Sequence, residues 1–356
     1  IFTFSFNCAS KHDNSIDKSQ INLKIVDSIV FDTNNEFVLI RSFNNDYYLG
    51  VNAANDKLFL FNSYGKKMRI IASKGEGPLE YEQILNYGLT PSNDIVVFDG
   101  SKVLIFENNS NKIKRICTID VNETLPEFND NRLFVNNDYH IIMSSSSMGN
   151  PSFKEYFQSA RTFTVMDTTC QHKNLGGYPE GNMFLKKVYI MGYDTRTWIP
   201  ANEEDKIFQM FRWDRHIYVW DSKTGGVIQT IDLHPDYFGE IIHKKESSME
   251  NMFYSLQRNA RFIDFIVGSK YIVTYYMTGV KEEDVSMSME KYNSQLDKLV
   301  RRLFSVYDRE GNKIGADFSN SKIKYLTGFD ENGRLLFQDD EEDGSTVIYI
   351  AEFEMP

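Results

Sequence analysis

The feature that most constrains the fold is a sequence pattern that recurs five times along the chain. Each copy contains a run of alternating aromatic and aliphatic residues, a polar turn rich in Asp, Asn, Ser and Gly, and a second strand-like run. Alternation sends successive side chains to opposite faces of a strand, and these turn residues tolerate the backbone angles of a tight reversal. Each copy therefore predicts a β-hairpin. The five hairpins are expected at residues 57–71, 102–119, 161–176, 216–233 and 302–318.

Two further strand-like runs precede each hairpin, and before the fourth hairpin they are KVYIMGYD (187–194) and KIFQMFRWD (206–214). Four strands per repeated unit are typical of propeller blades. The C-terminal region adds three strands of a sixth unit, and one unassigned strand at 21–31 precedes the first unit. We therefore predict an all-β protein, a six-bladed β-propeller of four-stranded blades. Its N-terminal strand is expected to complete the last blade, which removes an open sheet edge.

Two segments near the fifth unit, 238–257 and 281–302, interrupt the strand pattern. The second has apolar residues at spacings of three and four, which predicts one amphipathic helical insertion. A helix packed on the side of the propeller is favoured over a lid or a partner-docking helix. The apolar stripe consists of Val285, Met289, Tyr292, Leu296, Leu299 and Leu303.

The chain has 356 residues and a net charge of −11, and its lysines and arginines form no cluster in the sequence. Proteins that bind nucleic acid or an anionic membrane surface usually present a basic face, so neither is predicted as a partner. No motif has the spacing of a metal site or of a known catalytic centre. We therefore predict no catalytic residue, no metal and no cofactor.

The three cysteines, Cys8, Cys117 and Cys170, indicate neither a zinc site nor a disulfide framework by their number and spacing. Cys117 and Cys170 lie in strand-like sequence. Free cysteine is among the most buried residue types, so these two are predicted to be small buried hydrophobic side chains.

The N-terminal segment 1–20 differs in character from the rest of the chain. Mostly apolar residues precede Cys8, and a polar Ser, Asp and Lys stretch follows it. This pattern is typical of the end of a signal peptide that is cut at a lipid-modified cysteine. We predict a lipoprotein anchored at Cys8, exported to the periplasm or outer membrane, with a single propeller domain over 21–356. The alternative is a short apolar strand that contains a cysteine by chance.

The stretch ASKGEGPLEYEQ (72–83) looks at first like a phosphate-binding loop. It lacks the third glycine of a dinucleotide fingerprint and the Gly-Lys-Ser/Thr ending of a P-loop, and its glutamates disfavour an anion. Glycine and proline here more simply set the backbone angles of a turn between the first and second blades.

This stretch also resembles the G-x-G-P-x-E-[FY] inter-blade signature of NHL-like six-bladed propellers, and it is especially similar to propeller lipoproteins of Bacteroidota. The resemblance implies the same fold and a location in the cell envelope. That family has no agreed catalytic residues, so it implies none here. The matching residues are Gly75, Gly77, Pro78, Glu80 and Tyr81.

The polar and aromatic segment YDTRTWIPANEEDK (193–206) is the predicted ligand-contacting loop. Arg196 and Trp198 could stack on a sugar ring or pair with a carboxylate. The predicted function is a ligand- or protein-binding module, whose partner is an unidentified protein or a small molecule such as a glycan. Two alternatives stay open: a carbohydrate-active lyase or hydrolase with its site at the central channel, and a structural subunit of an envelope complex.

Lipidation at Cys8 can be tested by metabolic labelling with radioactive palmitate. We expect label on the full-length wild-type protein and none on Cys8→Ala, because the thiol is the acceptor of the lipid. Equal labelling of the two proteins would refute the anchor at this residue.

Overall fold

The computed structural model describes residues 21–354 apart from 34–35, 45, 76–79, 82, 111, 120–123, 127–132, 148–153, 187–195, 201–204, 243–247, 286–287 and 341–344. Within this part the chain forms six antiparallel sheets that are the blades of a propeller. Each blade has four strands, and the third blade carries one additional short strand. In blades one to five the strands follow sequence order from the centre to the rim, whereas the rim strand of blade six is the first strand of the chain. The predicted six-bladed propeller is confirmed.

The first strand of the chain is β1 (Asn22–Phe31), which belongs to blade six. Blade one consists of β2 (Val38–Phe43), β3 (Tyr47–Asn52), β4 (Lys57–Asn62) and β5 (Lys67–Ser73). Blade two consists of β6 (Asn86–Leu89), β7 (Ile95–Phe98), β8 (Lys102–Phe106) and β9 (Ile113–Thr118). Blade three consists of β10 (Thr124–Pro126), β11 (Phe134–Val135), β12 (Ile141–Ser147), β13 (Phe163–Met166) and β14 (His172–Leu175).

Blade four consists of β15 (Arg196–Pro200), β16 (Lys206–Phe211), β17 (His216–Asp221) and β18 (Val227–Asp232). Blade five consists of β19 (Arg261–Val267), β20 (Tyr271–Met277), β21 (Arg302–Asp308) and β22 (Lys313–Phe318). Blade six is built from β23 (Tyr325–Phe329), β24 (Leu335–Asp340), β25 (Thr346–Glu354) and β1. We call the end of the ring that carries the connections between blades, and the turns between second and third strands, the upper face.

The two ends of the chain meet in blade six. β1 pairs antiparallel with β25, from Asn22 opposite Glu354 to Phe31 opposite Thr346. This pairing is the predicted closure of the ring by the N-terminal strand. The last blade therefore has four strands like the others, and the first and last segments of the chain are joined by hydrogen bonds within one sheet.

All five predicted hairpins are present as the third and fourth strands of blades one to five. The prediction for the start of blade four was wrong. KVYIMGYD was expected to be its first strand, but that strand is β15, Arg196–Pro200, which pairs with β16. Residues 187–194 lie outside the described part of the chain.

The core lies between neighbouring blades. Strand side chains that are apolar on both faces pack against the blade on either side, as Leu60 of blade one does with Val97 of blade two in one cluster. Buried polar side chains also join blades. Gln338 of β24 donates to the carbonyl of Val38 at 2.9 Å and accepts from the amide of Ile40 at 3.0 Å, which ties blade six to blade one. β2 is the innermost strand of blade one, so one of its edges has no neighbouring strand. The side chain of Gln338 satisfies backbone groups on that edge.

The prediction of a single helical insertion was wrong, because the described residues contain four α-helices. Two short helices, α1 (Lys154–Ser159) and α2 (Met183–Lys186), lie outside the two interrupted segments. α3 (Met249–Arg258) lies mostly in the first of those segments, before blade five, and α4 (Met289–Leu299) lies in the second and connects β20 to β21. α4 lies within the predicted helical insertion and packs on the propeller through Tyr292, which is 2% exposed among Met277, Val280 and Val300. Among the described residues, no helix combines the length and the apolar character needed to cross a membrane.

The motif-bearing connection between blades one and two is held by backbone contacts. The amide of Gly75 donates to the carbonyl of Tyr81 at 3.0 Å, and the Tyr81 hydroxyl donates to the carbonyl of Asp56 at 3.0 Å. A Cβ atom on Gly75 would overlap the carboxylate of Glu80, so a larger residue at this position requires the Glu80 side chain to move. Gly77 and Pro78 lie outside the described residues.

The prediction for two of the cysteines was wrong, because Cys117 and Cys170 form a disulfide. Cys117 lies on β9, the rim strand of blade two, and Cys170 lies in the turn between β13 and β14 of blade three. Their Cα atoms are 5.4 Å apart although 53 positions separate them in the sequence. Only the packing of the two blades brings them together, so neither spacing nor local pattern revealed the pair.

The disulfide should stabilise the propeller, because it joins two blades and limits the freedom of the unfolded chain. We expect Cys117→Ser with Cys170→Ser to lower the free energy of unfolding by about 2–4 kcal/mol in urea titrations. Dithiothreitol should produce the same loss in the wild type and none in the double variant. An unchanged unfolding midpoint in the reduced wild type would contradict the prediction.

Candidate functional site

The upper face carries an open cavity of about 880 Å³ at the junction of blades five and six. Its walls come from the beginning of β19, the end of β20, the beginning of β21, and the connection from β22 to β23. Arg212, in the turn between β16 and β17 of blade four, lines one side, and Arg41 on β2 lines the deep end. A ligand of ordinary small-molecule size fits such a volume.

The lining of this cavity is basic, in contrast to the acidic protein around it. Five basic residues line it against two acidic ones, Asp264 and Asp297, whereas the whole chain has a net charge of −11. The cavity therefore concentrates positive charge that the sequence disperses. The basic residues are Arg41, Arg212, Arg261, Arg302 and Lys324.

At the deep end Arg41 reaches across the inner face of blade six. Its guanidinium donates to the carboxylate of Asp264 on β19 at 2.9 Å and to the carbonyl of Leu326 on β23 at 2.7 Å. The Arg41 and Asp264 side chains are only 15% and 8% exposed. This pair links blade one to blade five through blade six and forms the charged floor of the cavity.

Two more of the basic residues have acidic partners at the mouth. Arg302 pairs with Asp297 of α4 at 2.8 Å, and Lys324 pairs with Asp339 of β24 at 2.8 Å. Both pairs are partly exposed, so each contributes little to stability. Their effect is to neutralise two of the five positive charges.

Arg212 and Arg261 have no such acidic partner among the described residues. The backbone brings them together, because the amide of Phe262 donates to the carbonyl of Arg212 at 2.8 Å. Burial, together with the positive charge of Arg261, lowers the pKa of Arg212 to about 10. Arg212 still carries its charge at neutral pH. Two cations thus share one wall of the cavity at an electrostatic cost.

A hydrogen-bonded network fixes the turn that carries Arg212. Asp214, in the same turn, accepts from the Tyr218 hydroxyl at 2.7 Å and from the Asn182 amide at 2.9 Å. Its other carboxylate oxygen contacts Nδ1 of His216, whose Nε2 lies 3.1 Å from Asp232. The hydrogen bond to Asp214 raises the pKa of His216, and Asp232 adds to the effect.

The predicted ligand residues Arg196 and Trp198 lie on a strand rather than on a loop. Trp198 pairs with Gln209 in β15, the innermost strand of blade four. Their side chains are outside the described part of the structure, so a role in ligand contact stays a prediction. Cys8 also lies outside it. Gly75, Glu80 and Tyr81 lie in the connection between blades one and two.

Sequence reasoning missed every basic residue of the cavity. Arg212, Arg261 and Arg302 stand far apart in the chain and form no motif. A signal becomes visible once blade boundaries are known, because each of these arginines sits at the upper end of a strand in blade four or five. In the described residues, no group of three or more His, Cys, Asp or Glu side chains has the arrangement of a metal site.

No protein-family model and no curated protein matches the chain. Solved structures do resemble it. A member of the DUF4221 family from Bacteroides vulgatus ATCC 8482 superposes with a TM-score of 0.69 at 15% identity, covering 95% of this chain and 100% of that one. A candidate exported protein from Bacteroides fragilis NCTC 9343 superposes with a TM-score of 0.60 at 13% identity, covering 93% and 95%. At these identities the likeness establishes the propeller fold alone.

The His216 network should make stability depend on pH. A raised folded-state pKa means that the protonated imidazole stabilises the fold below its unfolded pKa of about 6.5, and that this contribution is lost as pH rises through the folded value. We expect His216→Gln to lower the urea midpoint more at about pH 5.5 than at about pH 9. Wild type measured at both pH values is the control, and an equal loss at both would contradict the prediction.

Proposed function

We propose that this protein is an exported binding protein of the cell envelope, lipid-anchored at Cys8, which holds a small ligand in the upper-face cavity. The observation that carries the proposal is the cavity itself, where basic side chains converge from blades one, four, five and six. Loops and strand ends on a rigid scaffold are where propellers and similar folds usually carry their function.

Two further observations support export. Cys117 and Cys170 form a disulfide, and disulfides form and persist in oxidising compartments such as the bacterial periplasm. One structural neighbour from Bacteroides fragilis is itself a candidate exported protein, and the inter-blade motif resembles that of Bacteroidota lipoproteins.

Binding is favoured over catalysis by the state of the cavity carboxylates. Asp264 and Asp297 are each ion-paired with an arginine, at 2.9 Å and 2.8 Å. Both cavity carboxylates are thus held by an arginine, whereas glycoside hydrolysis needs two carboxyl groups that are placed to flank and act on the scissile bond. A structural subunit docked through the 281–302 helix is less favoured, because Tyr292 of the apolar stripe is buried against the propeller.

The binding proposal is tested by thermal unfolding of the purified propeller in a panel of neutral and anionic sugars and organic acids. At least one compound should raise the melting temperature, since a ligand that binds only the folded state stabilises it. Ser321→Trp, which introduces a large ring at the cavity wall, should abolish that shift.

Glu310→Trp is the matched control, because Glu310 lies in an exposed turn at the opposite end of blade five and does not line the cavity. It should keep the full shift. A shift that survives Ser321→Trp, or no shift with any compound of the panel, would show the proposed site to be wrong.

A further inference from the structure

We propose that the upper-face cavity binds an organic dianion, and that Arg212 and Arg261 together form its anion-binding pair. The proposal rests on the proposed function, since it assigns the chemical class of the ligand held in that cavity. Nothing in the sequence pattern or in the structural neighbours points to this class; the charges and contacts of the cavity do.

The charges on the described lining of the cavity do not balance. Of the five basic side chains that line the cavity, Arg41 is neutralised by Asp264, Arg302 by Asp297 and Lys324 by Asp339. The two that lack a carboxylate partner among the described residues are Arg212 and Arg261. A ligand that balances the charges of the described lining therefore carries two negative charges.

The two arginines are held in position before any ligand arrives. The Arg261 guanidinium donates to the carbonyl of Leu256 at 2.5 Å and to the Tyr292 hydroxyl at 3.3 Å, which fixes it between α3 and α4. A guanidinium has five N–H donors, so donors are left for a ligand. The backbone bond from Phe262 to the Arg212 carbonyl holds the second arginine beside it.

Holding the two arginines side by side costs free energy when no ligand is bound. Two guanidinium groups in a partly desolvated wall repel each other, and the lowered pKa of Arg212 reflects burial and this repulsion. The side chain of Arg212 makes no hydrogen bond or ion pair within the described residues, and its guanidinium carbon lies 5.9 Å from the centroid of the Trp213 ring. An oxyanion would relieve both costs, because carboxylate and phosphate groups accept paired bonds from guanidinium.

The remaining lining indicates that the dianion has an organic body. The volume of about 880 Å³ suits a molecule much larger than an inorganic ion. Tyr275 and Tyr325 line it, and the Tyr275 ring is stacked on Phe304 at 4.5 Å, so it presents a rigid surface. A dicarboxylate on one carbon skeleton and a phosphate monoester both meet these requirements, because each is an organic molecule with two negative charges.

The test uses one carbon skeleton at three charges. Galactitol is neutral, galactonate carries one negative charge and galactarate carries two. Isothermal titration at constant ionic strength should give an affinity that rises about tenfold with each charge. Glucose and glucose 6-phosphate form a second arm, and a preference confined to this arm would assign the dianion as a phosphate monoester.

Variants identify the residues. Arg212→Gln should reduce the affinity for the preferred dianion about tenfold and leave galactitol unchanged, since that side chain has no structural hydrogen bond to lose. Arg261→Gln should act similarly. Arg261→Lys keeps the charge and should retain part of the affinity, and it replaces Arg261→Gln in the test if the glutamine variant folds poorly. Arg215→Gln is the control, because Arg215 is exposed in the same turn and does not line the cavity.

The outcomes separate this inference from the proposed function. If compounds bind and Ser321→Trp abolishes their binding, but charge adds no affinity or Arg212→Gln weakens neutral and dianionic compounds equally, the dianion assignment is wrong and the binding function stands. If no compound binds in the cavity, both are wrong. A charge-dependent affinity that Arg212→Gln removes and Arg215→Gln leaves intact supports the pair.

Discussion

The pairing of β1 with β25 is the interaction on which the rest of the structure depends. Nine residue pairs, from Asn22 with Glu354 to Phe31 with Thr346, join the two ends of the chain in one blade. Without them blade six would lack its rim strand and the ring would have an open edge. The cavity draws Lys324 and Tyr325 from the region where blade six begins, so the candidate site exists only in the closed ring.

Closure also explains why charged groups can occupy the centre of the propeller. Arg41 and Asp264 come from blades one and five and meet across blade six, where each satisfies the other and Leu326 accepts a further bond. A buried charge without a partner would be strongly destabilising. Arg212 and Arg261, in contrast, lack carboxylate partners among the described residues. Folding gains nothing from two unbalanced positive charges, so a role in ligand binding accounts for them better than a role in stability.

Most of the fold could be predicted from the sequence because its signals are local. Alternation in segments such as KLFLF and HIYVW marks strands, and the polar turn after each marks a hairpin. When the predicted strands are grouped in fours, one strand at the N-terminus belongs to no group and the last group lacks one strand. This predicts that the N-terminal strand completes the last blade. The first strand of blade four escaped because KVYIMGYD has as strong a strand pattern as RTWIP, and local pattern cannot choose between neighbours.

The sequence by itself determined the number of blades, the closing strand and a helix within residues 281–302, since alternation, turns and helical spacing act over a few residues. Tertiary structure alone decided the disulfide, the ion pairs and the basic cavity. Cys117 and Cys170 are 53 positions apart, and Arg212 meets Arg261 only through the packing of blade four on blade five. A ring brings distant strand ends to one face, and that convergence leaves no mark in any short stretch of sequence.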